Sequence, residues 1–125
     1  MQLQRRFPTV ILTRILQECG GILERRTTAD GTIVWGFAHR LVAENVIKRC
    51  MKMMPHLHRG LADYFSGKFA EGKALTIPKT KPIPRFVSPQ HLLDAAGKPN
   101  LRKIMELPYH YIRGKEWASL GEFLR

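Results

Sequence analysis

No apolar run in the 125 residues approaches the ~18 uninterrupted positions that a membrane-spanning helix needs. The first residues, Met1 to Phe7, are polar and basic and hold no signal-peptide apolar core. Cysteine is scarce: Cys19 and Cys50 form no CxxC and cannot make a disulfide framework. Both fall at apolar positions of predicted helices, so they are expected as reduced core thiols of a cytoplasmic protein. The histidines (His39, His56, His58, His91, His110) lack zinc-site spacing with cysteine. His56-x-His58 is a two-residue step that puts its rings on different helix faces, so no metal site is expected.

Catalytic motifs are missing as well. Gly60 to Gly67-Lys68 has the wrong spacing for a phosphate loop, and Phe69 stands where Ser or Thr is required. There is no G-x-S-x-G, and Glu24 and Asp30 are too isolated for an acid/base pair. An enzyme is not expected.

Acidic residues are few: 10 against 21 Lys plus Arg, a net charge of +11. A balance of this kind suits nucleic acid or another anionic surface. The charge is spread along the chain, and only Lys73 to Arg85 is locally extreme, with basic residues and no acid.

Hydrophobic residues at 44% and charged residues at 25% are ordinary for a globular chain able to bury a core. Pro8 suits a first helical position, and Val10, Ile11, Ile15 and Leu16 share a face up to about Glu18; Gly20-Gly21 stops this helix. Residues 22–28 and 32–37 predict a β-hairpin closed by Ala29-Asp30-Gly31, with Ile33, Trp35 and Phe37 on one large apolar face. A helix is expected from about Ala38 to Lys52, with Val46, Ile47 and Cys50 in its buried stripe. Another is expected from Pro55 to about Phe69, with Leu57, Leu61, Phe65 and Phe69 at helical spacing.

Pro78, Pro82 and Pro84 make residues 70–87 a basic loop, linker or strap packed by Ile77, Ile83 and Phe86. Ser88-Pro89 predicts an N-capped short helix ending at Gly97, and Ser88 is also a candidate proline-directed phosphorylation site. Pro99 opens a helix with Leu101, Ile104, Met105, Tyr111 and Ile112 mostly on one side and a kink or break near Pro108. Trp117, Leu120, Phe123 and Leu124 form a last amphipathic helix, completing an αα-hairpin. The fold class is mainly α with one β-hairpin: residues 1–69 as a partial winged helix with following helices, 70–87 as the loop, and 88–125 as the helical segment. The first half of a winged helix is not visible, which is consistent with a fragment of a longer parent.

Three stretches carry a family resemblance. They are Arg6-Phe7-Pro8 with Glu24-Arg25-Arg26; Val34-Trp35-Gly36-Phe37-Ala38-His39-Arg40; and His58-Arg59-x-Leu61-Ala62-Asp63-Tyr64-Phe65 leading to Glu106-Leu107-Pro108-Tyr109-His110 and Trp117. Together they resemble the region after the NACHT nucleotide-binding domain in STAND-class NTPases of the NACHT and WD-repeat family, including its leucine-rich repeat and WD-repeat branch. The resemblance implies a non-catalytic regulatory segment that holds an ADP-bound closed state and links the NACHT domain to WD repeats. ADP or ATP would bind the parent, and any NTPase activity would reside there. It also implies that Phe37-Ala38-His39 matches a Phe-x-His in which the histidine contacts the β-phosphate of ADP, with Arg40 beside it. A helix start favours an anion.

Two other functions compete. A nucleic-acid-binding winged helix would use Arg5, Arg6, Arg14, Arg25 and Arg26, but the helix before the hairpin is mostly aliphatic where groove readers are polar. An α-solenoid-type protein-interaction segment would present Tyr109, Tyr111 and Trp117.

Overall fold

The computed structural model describes residues 8–125, and Arg5 and Arg6 lie outside them. The elements are α1 (Thr9–Glu18), β1 (Leu23–Thr27), β2 (Ile33–Phe37), α2 (Arg40–Cys50), α3 (Met54–Phe65), α4 (Leu101–Arg113) and α5 (Trp117–Phe123). This is the expected mainly helical fold with a single hairpin. Contacts divide the chain into two compact units, one ending at Met51 and one running Lys52–Arg125. The sequence-based segmentation groups α3 with the hairpin, whereas contacts group it with α4 and α5.

In the first unit α1 starts one residue later than expected, with Pro8 as its extended N-cap. Cys19 caps its C-terminus, and the backbone turns through Gly20 into an antiparallel hairpin. Asp30 organises the turn: its Oδ1 accepts from the Thr32 amide at 3.0 Å and from the Thr28 hydroxyl, while Gly31 takes a φ of 83°. Only glycine adopts that conformation without a steric penalty. The register pairs Leu23 with Phe37, Arg25 with Trp35 and Thr27 with Ile33; Glu24–Gly36 and Arg26–Val34 alternate with them. Directly paired residues share a sheet face, so Ile33, Trp35 and Phe37 line up as expected. That face is exposed rather than buried, however. Neither α1 nor α2 holds a buried residue, and Val10, Ile11, Ile15, Leu41 and Ile47 are all exposed. Cys19 and Cys50 are half-buried and unbridged, not core thiols. A lone helix and two-stranded hairpin with a second helix present too little opposing surface to bury these stripes.

The second unit has the interior. Ala62 and Phe65 of α3 pack against Leu107 and Tyr111 of α4, with Tyr64, Leu120 and Phe123 at the margin. The buried α3 face is His58–Ala62–Phe65, and the expected Leu57 and Leu61 lie on another side, exposed. Likewise α4 buries Leu107, His110 and Tyr111, while Leu101, Ile104, Met105 and Ile112 are exposed. α3 ends at Phe65, earlier than expected, and Phe69 is buried from the turns that follow. α4 is continuous through Pro108, so of the kink or break expected there the break is absent.

Residues 70–87 hold no regular element, as their prolines require. Leu75 and Ile83 exchange backbone hydrogen bonds of 2.8 and 2.9 Å, making a small closed loop. Ile77 is half-buried, but Ile83 and Phe86 are exposed. Ser88-Pro89 does not start a helix. Asp94 Oδ1 instead accepts from the Ala96 and Lys98 amides at 2.9 and 2.8 Å, and a Leu93–Pro99 bridge closes a tight turn. An aspartate that bonds its own downstream amides competes directly with helix.

Asn100 is the true N-cap of α4, its side chain accepting from the Lys103 amide at 3.0 Å. Its Nδ2 also donates to Gln90 Oε1 and to the His91 carbonyl, each at 3.2 Å, which ties the preceding segment to the helix start. Asn100→Ala should therefore cost about 1–2 kcal/mol, the upper part of the N-cap range, measured as a shift in urea midpoint.

Candidate functional site

His39 sits where the hairpin hands over to α2, with extended backbone (φ −116°, ψ 130°) as the N-cap. It is exposed, and its side chain makes no cap hydrogen bond, so the imidazole is not used up in closing the helix. No acidic residue stands in the first turn of α2. Arg40 follows, exposed, its Nε donating to Glu44 Oε1 at 2.7 Å across one helical turn. An exposed pair of this kind is worth little to stability and exchanges readily for another anion. The sequence-predicted His39 and Arg40 are therefore adjacent, accessible and placed at a helix N-terminus.

The arginines of the nucleic-acid reading do not converge in the same way. Arg25 is paired with Trp35 and Arg26 with Val34, so the two leave opposite faces of the hairpin. Arg26 is also engaged: it donates to Glu24 Oε1 through Nε at 2.8 Å and Nη2 at 2.6 Å, and to the Phe37 carbonyl at 3.1 Å. Arg14 is exposed on α1. Of the aromatics in the interaction reading, Tyr109 and Trp117 are exposed, and Tyr111 belongs to the core.

The sequence does not announce the most organised polar group of the molecule. His58 and His110 lie 52 positions apart and meet inside the α3–α4 interface, with Nδ1 to Nδ1 at 2.9 Å. His110 Nε2 lies 3.2 Å from Glu106 Oε2, one helical turn back. Phe65 stacks nearly parallel to the His110 ring, and Tyr109 meets His58 edge-on. These distances fix the tautomers. A neutral His110 facing a carboxylate carries its proton on Nε2, which leaves Nδ1 to accept. His58 must then donate from Nδ1, so its buried Nε2 is a bare acceptor, and that atom has no hydrogen-bond partner. Burial lowers the pKa of both rings; His110 and Arg113 lower that of His58 further. At His110 the Glu106 carboxylate opposes burial without overcoming it. Two neutral imidazoles and a carboxylate in one line hold two helices together; they offer no exposed nucleophile.

Arg59 completes the lock. Its Nε donates to the Gly114 carbonyl at 2.9 Å. A Cβ at Gly114 would lie 2.9 Å from Arg59 Cγ and 3.0 Å from the His110 carbonyl, so glycine permits this approach. The stretches His58–Phe65 and Glu106–His110, singled out in the sequence as separate signatures, thus form one structural unit. The signal in the sequence is the step His58, Ala62, Phe65. It lies on α3 beside the stronger aliphatic stripe of Leu57 and Leu61, which masks it.

Among the described residues no group of three or more His, Cys, Asp or Glu is placed to hold a metal ion. Among them, too, no helix is long and apolar enough to cross a membrane.

Compared with known proteins, the chain is 37% identical over 124 residues to NACHT domain- and WD repeat-containing protein 1 of Homo sapiens. It is 33% identical over 124 residues to the protein of that name from Mus musculus. Each alignment covers 94% of this chain and 8% of the relative, so the chain is homologous to a short part of a much longer protein. No family model matches the sequence. No solved structure matches it.

Proposed function

We propose that this chain acts as a non-catalytic regulatory segment of a NACHT and WD-repeat protein of the STAND class. In that role it stabilises the nucleotide-bound closed state and links the nucleotide-binding domain to the WD repeats. The premise is homology to proteins whose names carry both domains. The observation that carries the mechanism is His39: an exposed imidazole with no cap bond to make, at the N-terminus of α2. A ring N–H there can donate to a terminal phosphate oxygen of a bound diphosphate, and the helix dipole favours the same charge. Arg40 adds a cation by giving up an exposed pairing with Glu44. On this reading the winged-helix half of the segment packs against the nucleotide domain, in a cytoplasmic protein. The apolar faces of α1 and the hairpin suit such packing, since no described residue of their own unit buries them.

The bias exists only if these residues touch nucleotide in one global state and not in the other. The test is His39→Ala in a chain that contains the nucleotide domain, read as ADP dissociation. Loss of one charge-assisted hydrogen bond should speed ADP release about tenfold and lower the closed population. Unchanged ADP retention with an unchanged closed population overturns the role given to His39.

A further inference from the structure

We propose that the second unit binds a single-chain amphipathic carboxylate, a free fatty acid with a short aliphatic chain, in the cleft between α3 and residues 75–87. The site is independent of His39 and of the nucleotide reading. α3 has two apolar faces. One is consumed by α4; the other, with Leu57 and Leu61, looks into a cavity of about 370 Å³ whose far wall includes Leu75, Ile77 and Val87. A cavity of that volume lies at the small end of ligand pockets, the size for a single short aliphatic chain. Such a size and an apolar lining are those of a ligand pocket.

The cleft is built from both sides. The Leu75–Ile83 bridge closes the loop, and Lys73 Nζ pairs with Asp63 Oδ2 of α3 at 2.7 Å. Gly60 lets the loop come close, since a Cβ there would lie 3.2 Å from Leu75 Cδ1. Leu57 and Leu61 nevertheless keep 42% and 45% of their surface exposed, so these anchors leave the cavity unfilled.

Its polar groups select the ligand. Arg85 and His56 line the same cavity, and neither has a hydrogen bond or ion pair among the described residues. The segment Lys73–Arg85 carries no acid to neutralise this end. A neutral apolar molecule would leave the guanidinium unused, and a compact polyanion would leave the apolar walls unused. An aliphatic chain with one terminal carboxylate satisfies both, because guanidinium and carboxylate match in geometry and charge.

The test is a titration of the full chain with sodium dodecanoate below its micelle concentration, followed by carbon-13 methyl resonances. The expected result is saturable one-to-one binding that shifts Leu57, Leu61, Leu75, Ile77 and Val87. Methyl dodecanoate, which keeps the tail and removes the charge, should bind about tenfold more weakly, as should dodecanoate to Arg85→Gln. Arg85 is exposed and unbonded, so that variant keeps its fold. Leu61→Trp fills the cleft and should abolish binding. Absence of binding overturns the proposal. So do shifts spread equally over Ile15, Ile33 and Ile47, which would mean apolar coating, or equal affinity for the ester and for Arg85→Gln.

Discussion

Leu107→Ala should unfold the second unit in mild denaturant. Leu107 is 1% exposed and is packed from α4 into the cluster with Ala62, Phe65 and Tyr111. Truncation removes buried methyl groups and leaves a cavity that the packed helices cannot close, at a cost of about 2–5 kcal/mol. A small domain holds only about 5 kcal/mol in total, so the loss takes most of it. Ile112→Ala, on the same helix but 46% exposed, should stay within about 1 kcal/mol. Urea unfolding followed by far-ultraviolet circular dichroism separates the two. Equal midpoints for both variants would mean that the α3–α4 contact is not the interior of this unit.

The second large effect comes from the buried histidine pair. His58→Leu removes the donor to His110 Nδ1, and His110→Leu removes the acceptor for His58 Nδ1. Each single change leaves one further buried ring nitrogen unsatisfied, at about 1–3 kcal/mol. Replacing both rings removes the two polar groups together, so the double variant should lose clearly less than the sum of the singles. The pH dependence follows with a definite sign. Both rings have a lower pKa in the fold than in the unfolded chain, so the unfolded state binds more protons as the solution is acidified. The stabilisation is therefore fully present above the unfolded histidine value of about 6.5 and is lost as pH falls through the folded values. Melting temperature should be flat from neutral to mildly alkaline pH and drop on the acid side. In the double variant that drop should shrink. A drop of the same size would assign it to carboxylates instead.

Much of this was legible from residues. The hairpin followed from Ala29-Asp30-Gly31 between alternating apolar strands, and the register placed Ile33, Trp35 and Phe37 together as read. The helices followed from apolar periodicity, and Gly20-Gly21 and Gly114 marked ends correctly. What periodicity could not supply was which face each helix buries. On α3 and α4 the aliphatic stripes are the stronger signal, yet the buried faces carry His58, Asp63 and His110. A partner 52 positions away decides that choice. The missed turn at Asp94 has a local cause, since one side chain outbid a helical ladder for the same amides. His39 was visible only through its neighbours Phe37 and Ala38, and its companion at the helix start is the next residue in sequence, Arg40. The pairing of His58 with His110 was hidden for the opposite reason: both lie inside conspicuous motifs, each readable alone.

The exposed hairpin carries one more consequence, for handling and for fate in the cell. Among the described residues the sheet has two strands and therefore two unpaired edges, beside a face that shows Ile33, Trp35 and Phe37 to water. Open backbone next to apolar side chains is the arrangement that recruits another strand and seeds self-association. Whatever shields that ribbon in a longer chain thus also acts as a guard against fibre formation. Any cut that left the ribbon bare would expose a sticky end.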